Sequence, residues 1–209
     1  MYDNFMKLDQ AKRNKIINAS LKIFSKTPYK NASTDDIVKE ANISKGALYH
    51  YFKSKKNLYL YLYDYVIDIM LKKFSDEVNF EEKDIFERYK NIVVVKLALI
   101  NKHPNLYNFV YRTLYDEEYA FKQELQDKNN KTIAKNIELL LKDIDKSKFR
   151  DDIDVDIAID MIFLTFEGYA NREVMQIKNM EFSKELCDRW LREFNQYIDV
   201  MKKIYYKGE

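Results

Sequence analysis

The sequence predicts an all-α protein. Only three Gly and two Pro occur among its 209 residues, and sheet proteins normally use many more of both in their tight turns. Through most of the chain, apolar residues recur every three to four positions, which is the spacing of an amphipathic helix. Residues 153–157 alternate with period two instead. No second strand is predicted that could satisfy their backbone, so they are also predicted to be helical.

The composition is that of a globular protein. Hydrophobic residues make up 46% of the chain and charged residues 33%, which argues against a disordered chain. No apolar run approaches the roughly 18 residues that a membrane-spanning helix needs. The N-terminus lacks the apolar segment of a signal peptide, and the single Cys187 excludes an internal disulfide framework. We therefore expect a cytoplasmic protein with no membrane partner.

Charge is distributed unevenly along the chain. Residues 1–60 contain 12 Lys/Arg against 5 Asp/Glu, a balance of +7, whereas residues 61–209 contain 24 against 29, a balance of −5. A basic N-terminal third on an acidic remainder is typical of a DNA-binding domain joined to a domain that does not bind DNA. A chance surplus of solvated lysines is the alternative interpretation, and charge alone does not decide between the two.

Three helices are predicted in the first third of the chain. Residues 10–26 have the apolar spacing of an amphipathic helix. Ser33 or Thr34 then caps a short second helix, because a side-chain oxygen at this position accepts a hydrogen bond from the free N–H groups of the first turn. Ser44 caps a third helix over residues 45–52 in the same way.

Six further helices are predicted. The first, over residues 55–78, would be a rod of roughly 33 Å at about 1.5 Å per residue, long enough to link two domains. The others are predicted over residues 81–102, 105–115, 118–144, 153–179 and 183–206. Helix 153–179 is apolar on most faces and helix 183–206 carries one long apolar stripe. Two such neighbouring helices favour a four-helix interface in a homodimer. Packing within one chain is the alternative.

The second and third helices form a helix-turn-helix, because both are short and only a three- to four-residue turn separates them. The second helix of this motif can enter a major groove of DNA. Leu48 and Phe52 lie four residues apart and define its buried face, while Lys45, Tyr49 and His50 project elsewhere. The pattern therefore predicts a reading helix.

The start of the reading helix suits a phosphate group. Gly46 has no side chain, so a sugar-phosphate strand can approach closely. The free N–H groups of the first turn and the hydroxyl of Ser44 can donate hydrogen bonds to a phosphate. Lys53 and Lys55 extend the positive surface beyond the helix.

This segment resembles the N-terminal signature of the TetR (tetracycline-repressor) family, and the similarity spans about residues 9–62. The resemblance is carried by the following residues and their spacing: Thr34, Ile37, Ala41, Ser44, Lys45, Gly46, Leu48, Tyr49, Tyr51, Phe52, Ser54 and Lys55. It implies that Lys45, Gly46, Tyr49 and His50 face the groove, and that Thr34, Ser44, Tyr51 and Lys55 hold phosphates. Because His50 and Tyr51 reverse the order of Tyr and His found in some relatives, base preference cannot be carried over.

The resemblance also implies a division of labour. Residues 1–54 would form the DNA-binding domain and residues 55–209 a helical effector-binding and dimerisation domain, with helix 55–78 linking them. The expected partners are a palindromic double-stranded DNA operator, a second copy of the chain and a small hydrophobic or aromatic effector that favours the state unable to bind DNA. Repressors are the commoner members of the family.

Aromatic and charged residues on two later helices are the candidates for an effector pocket: Tyr107, Phe109, Tyr111, Arg112, Phe166, Glu167 and Tyr169. Glu167 is the only ionisable residue between Asp160 and Arg172, which indicates a ligand contact, a salt bridge or an exposed position. A protein of the same fold that responds to a protein partner, without a small effector, is the alternative.

The chain carries no sign of enzymatic chemistry. Its two histidines, His50 and His103, lie apart, and Cys187 is single. There is no Gly-rich phosphate loop. The acidic residues between 152 and 156 lack the Gly and Glu of a calcium loop. We expect no enzyme, no cofactor and no metal.

Overall fold

The computed structural model describes residues 2–116, 119–176 and 183–208. These residues form α-helices and no strand, which confirms the predicted all-α class. The helices are α1 Asp3–Met6, α2 Gln10–Phe24, α3 Thr34–Ala41, α4 Lys45–Phe52, α5 Lys55–Glu77, α6 Ile85–Lys102, α7 Pro104–Tyr111, α8 Lys122–Leu141, α9 Val155–Gln176 and α10 Lys184–Tyr205, with a π-helix over Arg112–Asp116 and a 3₁₀ turn over Lys146–Lys148. None of the described helices is long and apolar enough to cross a membrane.

Side-chain caps decide where several helices begin. Asp9 accepts a hydrogen bond from the backbone N–H of Lys12 and starts α2. Asp84 accepts from the N–H groups of Phe86 and Glu87, so α6 begins four residues later than predicted. Each cap satisfies N–H groups that a helix leaves free at its start.

Two differences from the sequence prediction concern whole elements. The short helix α1 is not predicted at all, since four residues are too few to show a period. The predicted helix 105–115 ends as an α-helix at Tyr111 and continues as the π-helix Arg112–Asp116. The alternating segment 153–157 is helical from Val155 onward, with Asp154 accepting from the N–H of Ile157. Residues 177–179 of the predicted helix 153–179 lie outside the described residues.

The chain forms two compact units, Met1–Ser75 with His103–Asn129, and Asp76–Lys102 with Asn130–Glu209. In the first unit, Leu58, Tyr59 and Leu62 of α5 share a core with the four N-terminal helices α1 to α4. The predicted functional boundary after residue 54 therefore does not coincide with a break in packing, and it stays a prediction.

The second unit has its own apolar core and two buried polar anchors. Its core contains Ile85 and Phe86 of α6 together with residues of α9 and α10. Arg88 is 1% exposed, and its guanidinium donates hydrogen bonds to the carbonyls of Leu140 and Lys142 at 2.8 and 2.6 Å. These bonds satisfy carbonyls at the C-terminal end of α8, where a helix leaves them free.

Asp84 is the second anchor. Burial alone would raise its pKa, but hydrogen bonds from Lys148, from the Glu87 N–H and from the Tyr206 hydroxyl outweigh burial, and the pKa lies below its usual value. The carboxylate thus stays charged while it holds Lys148 at 2.8 Å and Tyr206 at 3.0 Å.

Candidate DNA-binding surface

Two residues define the turn between α3 and α4: Asn42 ends α3 and Ser44 starts α4. Asn42 adopts a left-handed conformation with φ 51°, which ends α3 because this conformation cannot continue a helix. The N–H of Ile43 then bonds the carbonyl of Val38 at 3.0 Å. Ser44 starts α4 by accepting a hydrogen bond from the N–H of Ala47 at 3.1 Å. Both helices therefore have defined ends next to each other.

The buried face of α4 holds the helix against the rest of its unit. Leu48 and Phe52 are buried, as predicted, and both belong to the core of the first unit. The ring of Phe52 lies 4.7 Å from that of Phe5 and 5.5 Å from that of Tyr61. A reading helix anchored in this way can present its other face without moving.

The opposite face of α4 is open to solvent. Lys45, Gly46, Tyr49 and His50 are all exposed, and they stand one turn apart in two pairs, so they form one surface. A methyl group at Gly46 would meet nothing closer than the Ser44 hydroxyl at 4.0 Å. The structure brings these residues together as the sequence predicts, whereas Thr34 and Tyr51 are half-buried at the edge of the surface.

Lys45 is paired with an acidic residue. Its Nζ lies 2.9 Å from Oδ1 of Asp35 in the first turn of α3. The hydrogen bond to Asp35 raises the pKa of Lys45, so its ammonium group stays charged. Both side chains are exposed, and exposed ion pairs are weak, so a phosphate or a base can replace Asp35 at little cost.

Lys55, unlike the other residues predicted to contact DNA, uses its ammonium group to bind backbone carbonyls of its own chain. Its Nζ donates to the carbonyls of Tyr29 and Ala32 at 2.8 and 3.0 Å, and it lies 4.6 Å from the centre of the Tyr29 ring. The side chain thus holds the loop before α3. A DNA phosphate at Lys55 would have to share the ammonium group with these carbonyls. The phosphate contact of Lys55 stays a prediction.

Helix α1 adds residues to this surface that sequence reasoning missed. Phe5 is fully buried, and it packs on Phe52 of α4. Asn4, one position earlier, is exposed, and its Nδ2 lies 3.1 Å from Nε2 of His50. The aromatic spacing of Tyr2 and Phe5, three residues apart, is the one local signal of an amphipathic turn here.

Four of the predicted effector residues lie in the first unit: Tyr107, Phe109, Tyr111 and Arg112. Phe109 is buried with its ring 5.0 Å from Tyr59. Burial raises the pKa of the Tyr107 hydroxyl, which therefore remains protonated. Arg112 donates through Nε to the carbonyl of Ser25 at 2.9 Å, just beyond α2. Phe109 is thus covered by protein, whereas Arg112 is half-buried.

The other three predicted effector residues lie in the second unit. Phe166 is buried, with its ring 4.8 Å from Tyr89 and 4.5 Å from Phe194. The hydroxyl of Tyr169 donates to Glu193 at 3.0 Å. Glu167 is exposed. A cavity of about 400 Å³ in this unit contains none of the predicted residues and is lined by Leu141, Asp143, Ile144, Lys146, Asp156, Ile159 and Asp160.

An apolar stripe runs along the outside of α9. Ile157, Met161 and Leu164 follow each other at spacings of four and three, so they share one face, and they are exposed by 58, 50 and 64%. Val200 and Ile204 of α10 are similarly exposed.

Within the described parts of the chain, no group of three His, Cys, Asp or Glu side chains could hold a metal ion.

Residues 16–62, which contain α3, α4 and the turn between them, match the family model of the bacterial regulatory proteins of the tetR family. This segment is therefore that of a TetR-family DNA-binding region, as the helix-turn-helix pattern predicts.

Two curated regulators show how far the likeness extends. The fatty acid metabolism regulator protein of Bacillus subtilis is 27% identical over 178 residues, which cover 81% of this chain and 87% of that protein. The negative transcriptional regulator of the icaADBC biofilm operon in Staphylococcus aureus is 43% identical over 47 residues, 22% of this chain and 25% of that protein. The second likeness is thus confined to a short segment, while the first includes most of both chains.

Solved TetR-family structures share the fold over nearly the whole length. A regulator from Chloroflexus aurantiacus superposes with a TM-score of 0.64 at 23% identity and covers 99% of this chain and 98% of that one. The regulator FadR of Bacillus subtilis, solved in complex with stearoyl-CoA, gives 0.59 at 18% identity, over 90% of this chain and 96% of that one. These likenesses confirm the fold of an N-terminal helix-turn-helix followed by a helical region.

Proposed function

We propose that this protein is a ligand-responsive repressor that binds a palindromic operator as a homodimer in the cytoplasm. The observation that carries the proposal is the exposed face of α4. Lys45, Gly46, Tyr49 and His50 stand on it together, and buried Leu48 and Phe52 hold the helix from behind. A major groove admits one α-helix, and this face offers charged, aromatic and imidazole groups where base edges would lie.

The roles of the residues follow from their chemistry. Lys45 and the hydroxyl of Tyr49 can donate hydrogen bonds to base edges or phosphates. Ser44 and the free N–H groups at the start of α4 suit a phosphate. Gly46 leaves room for the DNA strand to approach the helix. Thr34, Tyr51 and Lys55 lie at the margin and are proposed to contact phosphates only.

The exposed stripe on α9 supports the homodimer. A second copy related by a twofold axis would set Ile157, Met161 and Leu164 against the same residues of its partner, because such an interface is self-complementary. Val200 and Ile204 of α10 would extend it. A dimer of this kind places two reading helices on two half-sites, which is why a palindromic operator is proposed.

An effector with a long apolar chain is the proposed ligand. The fatty acid metabolism regulator of Bacillus subtilis and the FadR complex with stearoyl-CoA support an acyl thioester, and the sequence itself predicts a hydrophobic effector. The close packing around Phe109 and Phe166 favours the alternative, control by a protein partner, because a ligand would have to displace these contacts.

DNA binding is tested by selecting fragments from the genome with the wild-type protein and measuring their affinity by fluorescence anisotropy at two salt concentrations. We expect the selected fragment to contain an inverted repeat. It should bind at least about a thousandfold more tightly than random DNA, which is the usual margin of specific recognition. Affinity should fall steeply with salt, because phosphate contacts release counterions. Equal affinity for selected and random DNA would contradict the proposal.

Gly46→Ala separates DNA binding from folding. A methyl group at this exposed helix position meets nothing closer than the Ser44 hydroxyl at 4.0 Å. Alanine is favoured over glycine in a helix by roughly 0.5–1 kcal/mol, so the free energy of unfolding should rise slightly. Operator affinity should nevertheless fall about tenfold or more, because the methyl group would occupy the space of the DNA strand. Urea unfolding and anisotropy on the same preparation measure both. Unchanged affinity would show that no strand approaches Gly46.

The effector is tested on the preformed complex with the selected operator. Micromolar stearoyl-CoA should weaken operator binding about tenfold or more, within the usual range of coupling free energies, whereas coenzyme A and acetyl-CoA should have no effect. Release by coenzyme A alone would assign recognition to the nucleotide and not to the acyl chain. No release by any of the three would favour control by a protein partner.

A further inference from the structure

The N-terminal helix α1 is held firmly beside the reading helix. Phe5 packs on Phe52 of α4, and its ring lies 5.2 Å from that of Tyr61 of α5. The hydroxyl of Tyr2 donates to the carbonyl of Asn57 at 3.1 Å. At the C-terminal end of α1, Nη1 of Arg13 donates to the carbonyl of Met6 at 3.2 Å. These anchors come from both ends of α1, and none of them involves Asn4.

Asn4 is thereby fixed next to the exposed face of α4. Its Nδ2 lies 3.1 Å from Nε2 of His50, although 46 positions separate the two residues. Both side chains are exposed, so no core packing requires this contact. The ring of His50 also lies 5.7 Å from the ring of Tyr51, edge to face at 72°, so Tyr51 is its second neighbour.

The contact has a consequence for the imidazole. With Nδ2 of the Asn4 amide facing it, Nε2 of His50 is the acceptor of this hydrogen bond, because an amide nitrogen only donates. In a neutral imidazole the proton then lies on Nδ1. Nδ1–H is therefore the polar edge that the ring can offer to DNA, and it is a donor.

We propose that Asn4 is a positioning residue for operator recognition: it orients His50 and selects the tautomer that donates through Nδ1 to an acceptor in the major groove. This proposal rests on the proposed DNA-binding function. The acceptors available there are O6 and N7 of guanine, N7 of adenine and O4 of thymine. Asn4 itself contacts no base.

The tautomer is tested without DNA by nitrogen-15 NMR of the histidine rings at about pH 8.5, well above the ordinary imidazole pKa of about 6.5. The spectrum of His50→Ala assigns the His50 signals against those of His103. The expected result is an Nδ1-protonated His50 in the wild type and a shift toward Nε2 protonation in Asn4→Ala. A wild-type His50 protonated on Nε2 would overturn the proposal, whatever the protein does with DNA.

Recognition is tested by a double-mutant cycle on the selected operator and on its single-base variants, with Asn4→Ala, His50→Ala and the double variant. Asn4→Ala should lose about fivefold in affinity per half-site, the effect of one hydrogen bond, and so about twenty-five-fold on the whole operator. It should also lose discrimination at the same base pair as His50→Ala. In the His50→Ala background it should change nothing further, because the two residues act as one unit.

Two controls keep the cycle decisive. Asn101 is an exposed asparagine on α6, and Asn101→Ala should leave operator affinity unchanged. The melting temperature of Asn4→Ala should match that of the wild type, because Tyr2 and Phe5 anchor α1. Additive losses from Asn4→Ala and His50→Ala would overturn the proposal by making Asn4 an independent DNA contact. A wild type that selects no operator would instead remove the proposed function, a result distinct from an unexpected tautomer.

Discussion

Replacing Lys45 and Tyr49 together by alanine is expected to weaken operator binding by about a thousandfold or more. A good contact to a base edge contributes about 1–3 kcal/mol, and a dimer would lose each contact twice. Both side chains are exposed, and the ion pair of Lys45 with Asp35 is a surface pair, so folding should be unaffected. The double variant thus removes recognition while the scaffold of Leu48 and Phe52 remains.

Fluorescence anisotropy on the selected operator at several salt concentrations measures this loss. The dependence of affinity on salt should also become shallower, because each phosphate contact of a lysine adds about one unit to the slope. Lys131→Ala is the charge-matched control, since Lys131 is an exposed lysine on α8. An affinity within threefold of the wild type would mean that α4 does not read the groove.

Introducing a charge at Leu164 is expected to break the homodimer. Leu164 is 64% exposed in the single chain, so Leu164→Glu should fold normally. Burying a leucine is favourable by about 1.5–3 kcal/mol, and the twofold axis counts this contribution twice. The dissociation constant of the dimer should therefore rise about a thousandfold or more. The added cost of burying a carboxylate acts in the same direction.

Sedimentation velocity at micromolar protein measures the association state, and operator affinity should fall together with the dimer. Leu139→Glu is the matched control, because Leu139 is 40% exposed on α8 and lies outside the stripe of α9. If Leu164→Glu remains a dimer, the interface lies elsewhere. If Leu139→Glu dissociates as readily, the stripe has no special role.

Local rules in the sequence predict the reading helix closely. Ser44 is the predicted cap of α4, and of the two candidates for α3, Ser33 and Thr34, the structure selects Ser33. Helix α4 spans the predicted residues 45–52. Leu48 and Phe52 are buried while Lys45 and Tyr49 are exposed, because positions four apart on a short helix share a face. The helix-turn-helix is recognisable because a cap, a turn and one buried stripe are all encoded within about twenty neighbouring residues.

The effector residues show where local rules end. Periodicity predicts that Phe109 and Phe166 are buried, but not whether protein or a ligand covers them. In the structure Tyr59 and Phe194 lie against them. Glu167 lies in an apolar stretch of sequence, yet it is exposed, since a helix apolar on most faces still has one side open to solvent in a single chain.

The sequence by itself therefore determined the all-α class, most helix boundaries and the exposed face of α4, because each depends on residues within a turn or two of one another. Only the tertiary structure decided which distant groups meet. It set Asn4 against His50, tied Lys55 to the loop before α3 and brought the Arg88 guanidinium to carbonyls of the α8 end. Contacts across tens of residues depend on how whole helices pack, and no local spacing records that arrangement.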